Sequence, residues 1–88
     1  MDSLDHRETL FVEVLLPLNL QNTFTYRIPN ELNEEVVVGK RVSVPFGRNK
    51  IMAGLIASIG DKPPLAYQAK YIIDILDNEP IVGDKQLA

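Results

Sequence analysis

A small, mainly β domain, a barrel or sandwich of about five or six short strands with little helix, is the fold class that this sequence predicts. Short runs rich in β-branched and aromatic residues recur along the chain, several of them alternating with period two. Six prolines and five glycines punctuate these runs at regular intervals. With 88 residues, 45% of them apolar, the chain is long enough for one domain with a modest core. Many short strands separated by turns favour a barrel or a sandwich over a helical fold.

The elements follow in order. Phe11 to Leu16 reads as a strand stopped by Pro17, and Asn19 to Asn22 as a loop. Thr23 to Ile28 alternates cleanly until Pro29-Asn30 ends it. Glu31 to Glu35 suits either a helical turn or a polar loop. Gly39 precedes a third alternating strand, Arg41 to Val44, which runs into Pro45-Phe46-Gly47. Ile51 to Ile59 is the longest apolar run and reads as a strand, with Gly54 marking a bulge or a close backbone approach. Lys62-Pro63-Pro64 links it to Tyr71–Leu76, a fifth strand whose length also permits a helix. The expected core is Val12, Val14, Val42, Val44, Leu55, Ile73 and Ile75. Residues 1–9 are expected to be disordered and 10–82 to form the domain. Residues 83–88 read as a capped helix start or a linker that is expected to continue into a longer parent protein.

Charge is distributed unevenly. Residues 1–38 hold two basic against seven acidic side chains, residues 39–72 six against one, and the last sixteen one against four. Four cations, Lys40, Arg41, Arg48 and Lys50, surround the Pro-Phe-Gly turn without a carboxylate among them. A chain of net charge −3 lacks the global positive field of a protein that coats nucleic acid, so any DNA contact is expected at one local patch. A solvated loop is the plain alternative for such a cluster.

Catalytic material is sparse. There is no cysteine and a single histidine, His6, so thiolate chemistry, disulfides and histidine-based triads or metal clusters have no residues to use. No phosphate-cradling Gly-x-x-x-x-Gly-Lys-Ser/Thr loop occurs, and Ser3, Ser43 and Ser58 lack a nucleophile context. The chain by itself is not expected to be an enzyme. With no apolar run near twenty residues and an acidic, polar start, no membrane partner is expected and the cytoplasm is the expected compartment.

The ordered motifs resemble the amino-terminal domain of the PriA family of bacterial replication-restart helicases, also called primosomal protein N′. The resemblance is carried by Val12-Glu13-Val14 with Thr23-Phe24-Thr25-Tyr26 and Pro29, by Gly39-Lys40-Arg41-Val42-Ser43-Val44-Pro45-Phe46-Gly47, by Lys50 with Gly54-Leu55-Ile56, and by Lys70 leading to Ile75-Leu76-Asp77 and Pro80. Together these cover most of residues 11 to 82. The Arg-Val-x-Val-Pro-Phe-Gly string is the most specific piece. The resemblance implies an OB-like β fold and a module that captures the 3′ end of the nascent leading strand at an arrested fork. It also implies a parent that unwinds DNA with ATP and magnesium and carries zinc, all in other domains, with no cofactor in this chain. The implied partners are single-stranded or forked DNA with a free 3′ end, the rest of the helicase and primosome proteins.

By position, the resemblance implies a 3′-end pocket of Phe24, Thr25, Gly47 and Lys70. An aromatic face stacks on any base, a glycine admits a sugar where a Cβ would clash, and a lysine donates to an oxygen of the terminal nucleotide. Read from the residues alone, Phe24 is an inward core aromatic, Gly47 a turn glycine and Lys70 a solvated lysine; Tyr26 and Tyr67 have no assigned role. Arg41, Arg48 and Lys50 are candidates for contact with the DNA backbone. Thr25 departs from the commonest family pattern, which has aspartate there. An aspartate accepts a hydrogen bond from a 3′-hydroxyl with charge assistance, whereas a threonine hydroxyl accepts or donates. A protein-docking barrel, holding the helicase core or a primosome partner, is the alternative function.

Overall fold

Residues 9–18 and 23–80 are described by the structure, a computed structural model. They form one five-stranded antiparallel sheet: β1 (Phe11–Leu15), β2 (Thr23–Arg27), β3 (Arg41–Pro45), β4 (Ile51–Gly60) and β5 (Asp74–Ile75). The order across the sheet is β2-β1-β4-β3-β5. A 3₁₀ turn, Asn30–Leu32, follows Pro29, so the helical turn is the alternative realised there. The strands begin and end within a residue or so of the positions that alternation and punctuation predict, apart from the fifth. The expected mainly β, barrel-like fold with little helix is the one observed. The expectations for residues 1–8, for the loop Asn19 to Asn22, for the last two residues of the 10–82 domain and for residues 83–88 lie outside the described residues.

The fifth strand is much shorter than Tyr71–Leu76 because that segment changes partner midway. Arg27 N donates to Lys70 O at 2.7 Å and Ile72 N donates to Arg27 O at 2.9 Å, which pins the segment to the free edge of β2. Ile73 N then donates to Ser43 O and Leu76 N to Arg41 O, each at 2.8 Å, along β3. One stretch of chain therefore joins both edges, and the sheet curls toward a barrel without closing into a continuous ladder. Arg27 sits at this seam, with its guanidinium 5.3 Å from the Phe11 ring centroid and 5.6 Å from that of Tyr71.

Val12, Val14, Val42 and Val44 are fully buried, as alternation requires, together with Ile28 and Ile56. Full burial of an aliphatic side chain of this size contributes about 1.5 to 3 kcal/mol relative to leaving it exposed. Two expected core residues are corrected. On β4 the inward phase is Met52, Gly54 and Ile56, which turns Leu55 outward, opposite Leu15 and Arg41. The run is apolar on both faces, so its own pattern holds no phase information. On the last segment Ile72 is buried and Ile73 half exposed, because the switch from β2 to β3 interrupts the alternation. Ile75 packs against the core only partly buried.

Gly54 marks a close approach. A Cβ there would lie 2.4 Å from Val14 Cγ1, 2.7 Å from Leu16 Cδ2 and 3.0 Å from the Leu15 carbonyl oxygen. The bulge falls nearby rather than at the glycine: Glu13 pairs with Ser58 and Val14 with Ile56, which leaves Ala57 as the extra residue on β4.

Candidate functional site

At one end of the sheet a cavity of about 260 Å³ opens between β2, the end of β3 and the segment after β4. It is lined by Phe24, Thr25 and Tyr26, by Pro45, Phe46 and Gly47, and by Tyr67, Gln68 and Lys70. The four residues that the family resemblance singles out, Phe24, Thr25, Gly47 and Lys70, come together here from three separate parts of the chain. Each arrives by a local route. Phe24 lies on an alternating strand in register with Val14. Gly47 lies in the β3–β4 hairpin, whose loop is closed by Phe46 N donating to Lys50 O at 3.0 Å. Lys70 is placed by the backbone bond between its carbonyl and Arg27 N.

The walls are aromatic. Phe24 and Phe46 meet edge to face, with centroids 5.3 Å apart and planes at 72°, and both are partly buried against the core. Each thus combines the core role with a place on the cavity wall. Tyr26 is buried and donates its hydroxyl to Pro45 O at 2.8 Å, which couples β2 to the far end of β3 and sets the width of the mouth. Burial pushes the Tyr26 phenol above its ordinary pKa, with a smaller contribution from Tyr67, so it stays a neutral donor. Gly47 has φ +69°, and a Cβ there would meet nothing within 4 Å. The left-handed conformation accounts for a glycine at this turn, and the position borders the cavity with open space beside it.

Thr25 is held on two sides. Its hydroxyl donates to Glu13 Oε2, and Thr23 donates to the other oxygen, Oε1, at 2.7 Å. Its backbone N–H donates to the Tyr67 hydroxyl at 2.9 Å. Glu13 stands directly opposite Thr25 on β1. An aspartate at 25 would place two carboxylates face to face on neighbouring strands, a destabilising pair, whereas a threonine supplies the hydrogen that Glu13 accepts. Glu13 and Tyr67 had no assigned role in the sequence; the cue available for Glu13 was its place between two inward valines, opposite a threonine-rich strand.

The cationic cluster divides in two. Arg41 donates to Asp77 through Nε and through NH2, the latter at 2.9 Å, and its backbone N–H reaches Asp77 Oδ2 at 2.8 Å. These bonds raise the Arg41 pKa and hold the Asp77 carboxyl below the usual range. Arg41 borders another concavity, with Leu15, Leu16, Pro17, Ala53, Gly54 and Leu55. Lys40 is buried and donates Nζ to Glu35 O at 2.8 Å. Arg48 and Lys50 are exposed on the hairpin beside Gly47 and form no ion pair among the described residues. No group of three or more His, Cys, Asp or Glu suited to a metal occurs among the described residues.

The family model of the 3′ DNA-binding domain (3′BD) of PriA matches residues 13–88. The chain belongs to this family. It is 32% identical over 79 residues to the replication restart protein PriA of Bacillus subtilis (strain 168), an alignment covering 85% of this chain and 10% of that protein. The chain thus spans about a tenth of the length of this relative. In this PriA-type domain the aromatic cavity lies beside two exposed cations, Arg48 and Lys50, that form no ion pair among the described residues.

Proposed function

We propose that this domain captures the free 3′ end of a DNA strand in the cavity between β2 and the β3–β4 hairpin, as the nascent leading strand presents it at a stalled fork. One observation carries the reading: Phe24, Thr25, Gly47 and Lys70, from three separate parts of the chain, line a single cavity. Phe24 offers a stacking face, Gly47 leaves room for the sugar, Lys70 donates to an oxygen of the last nucleotide and Thr25 meets the terminal hydroxyl. Arg48 and Lys50 hold the backbone leading into the pocket. Arg41, already paired with Asp77, has the weaker claim to this role. Unwinding by ATP and magnesium, zinc binding and primosome assembly belong to other parts of a longer parent acting in the cytoplasm. The direct test is the affinity for one oligonucleotide carrying a 3′-hydroxyl and for the same oligonucleotide carrying a 3′-phosphate. Clear preference for the hydroxyl is expected; equal binding overturns end capture.

A second reading, docking to the helicase core or a primosome partner, draws on the apolar concavity of Leu15, Leu16, Pro17, Ala53, Gly54 and Leu55. Docking there would ignore the chemistry of the DNA terminus, so the same comparison separates the two.

A further inference from the structure

Two side chains outside the four pocket residues, Glu13 and Tyr67, hydrogen-bond to Thr25. A hydroxyl has a single hydrogen. That of Thr25 is given to Glu13 Oε2, while Thr23 occupies Oε1 and keeps the carboxylate in place between two cross-strand hydroxyls. The Thr25 oxygen is left with lone pairs only. Tyr67 has the opposite polarity. Its oxygen accepts the Thr25 N–H at 2.9 Å, so its own hydrogen is left to point elsewhere. Tyr67 borders the cavity and is half exposed.

We propose that Glu13 and Tyr67 set the hydrogen-bond polarity of the cavity, making Thr25 an acceptor and Tyr67 a donor, a pair complementary to a terminal hydroxyl. The inference rests on the end-binding reading and supplies its basis of selection. A 3′-hydroxyl donates to Thr25 Oγ1 and accepts from the Tyr67 phenol. A 3′-hydrogen satisfies neither group. A 3′-phosphate, bearing acceptors and negative charge, satisfies Tyr67 but meets the lone pairs of Thr25 backed by the Glu13 carboxylate. Glu13 is a positioning residue acting through Thr25, whereas Tyr67 contacts the end directly.

Three oligonucleotides differing only in a 3′-hydroxyl, 3′-hydrogen or 3′-phosphate test this, with dissociation constants measured by fluorescence anisotropy on the full chain at fixed salt. The original protein is expected to bind the hydroxyl end tightest. Glu13→Gln gives Thr25 an amide donor in place of one carboxylate oxygen, and the preference for hydroxyl over phosphate should fall by about three- to tenfold. Tyr67→Phe should weaken the hydroxyl end by about three- to tenfold while leaving the 3′-hydrogen end nearly unchanged, because that end has no oxygen to receive the phenol hydrogen. A merely structural role would weaken all three ends alike, and that result in both variants overturns the inference, as does retention of the original ratios. Absence of end preference in the original protein overturns the end-binding reading and this inference with it. Should Glu13→Gln fail to fold by circular dichroism, Tyr67→Phe, on an exposed segment, decides alone.

Discussion

Phe24 shows how one residue serves two purposes. Its ring is partly buried against the core and edge to face with Phe46, yet it also forms a cavity wall. Stacking of a base on an aromatic side chain contributes about 1 to 3 kcal/mol. Phe24→Ala is therefore expected to weaken binding of a 3′-hydroxyl oligonucleotide by about an order of magnitude or more, with circular dichroism still showing a folded β domain. A silent Phe24→Ala would remove the ring from the site. Alternation along Thr23 to Arg27 placed Phe24 on the same face as Tyr26, but periodicity is indifferent to whether that face is roofed over or open at its end. The opening is made by Tyr26 holding Pro45 and by Tyr67 holding Thr25, contacts 19 and 42 residues apart in sequence.

Among the elements, the β3–β4 hairpin and the contact of β4 with β1 make separate predictions. Arg48 and Lys50 are exposed on the hairpin without ion pairs among the described residues, and the role proposed for them is that of positioning contacts to phosphate. Alanine at either site should weaken binding about equally for all sequences and lower the slope of log affinity against log salt by about one. An unchanged slope in both variants would make the cluster a solvated loop. On β4, Gly54→Ala should lower the melting temperature, since the new methyl would meet Val14 and Leu16 side chains and, at 3.0 Å, the rigid carbonyl of Leu15. Overpacking of this kind costs about 1 to 3 kcal/mol, a large part of the stability of a small domain. A variant that melts with the original protein would show that β1 yields easily. The sequence offered a bulge or a close backbone approach at this glycine; that it is an approach, and that β1 makes it, emerged only from the sheet.

At the scale of the whole molecule, the Arg41–Asp77 pair ties the chain beyond β5 back to the start of β3 across 36 residues. The folded state holds the Asp77 carboxyl below its ordinary pKa, so the pair stabilises the fold above the ordinary carboxylate range. That contribution is lost as pH falls through the lowered folded value. Asp77→Asn should melt at a lower temperature near neutral pH, and the gap to the original protein should narrow in acid. A gap that does not change with pH would assign the effect to the lost backbone bond at Arg41 instead of to charge.

Local chemistry, read from the chain by itself, determined where the first four strands lie, the inward phase of Val12, Val14, Val42 and Val44, and the family to which the ordered motifs belong. Alternation and turn residues act over a few positions, so they survive without knowledge of the partner strand. Tertiary structure alone decided the phase of the doubly apolar β4, the partner switch that shortens β5 and exposes Ile73, and the loss of Lys40 and Arg41 from the free cationic patch. It also decided the hydrogen bonds of Thr25, whose hydroxyl donates to Glu13 across the sheet and whose backbone N–H donates to Tyr67 from a distant segment. Each of these turns on which strand or side chain lies opposite, and that pairing is a property of the folded chain that no short window of sequence contains.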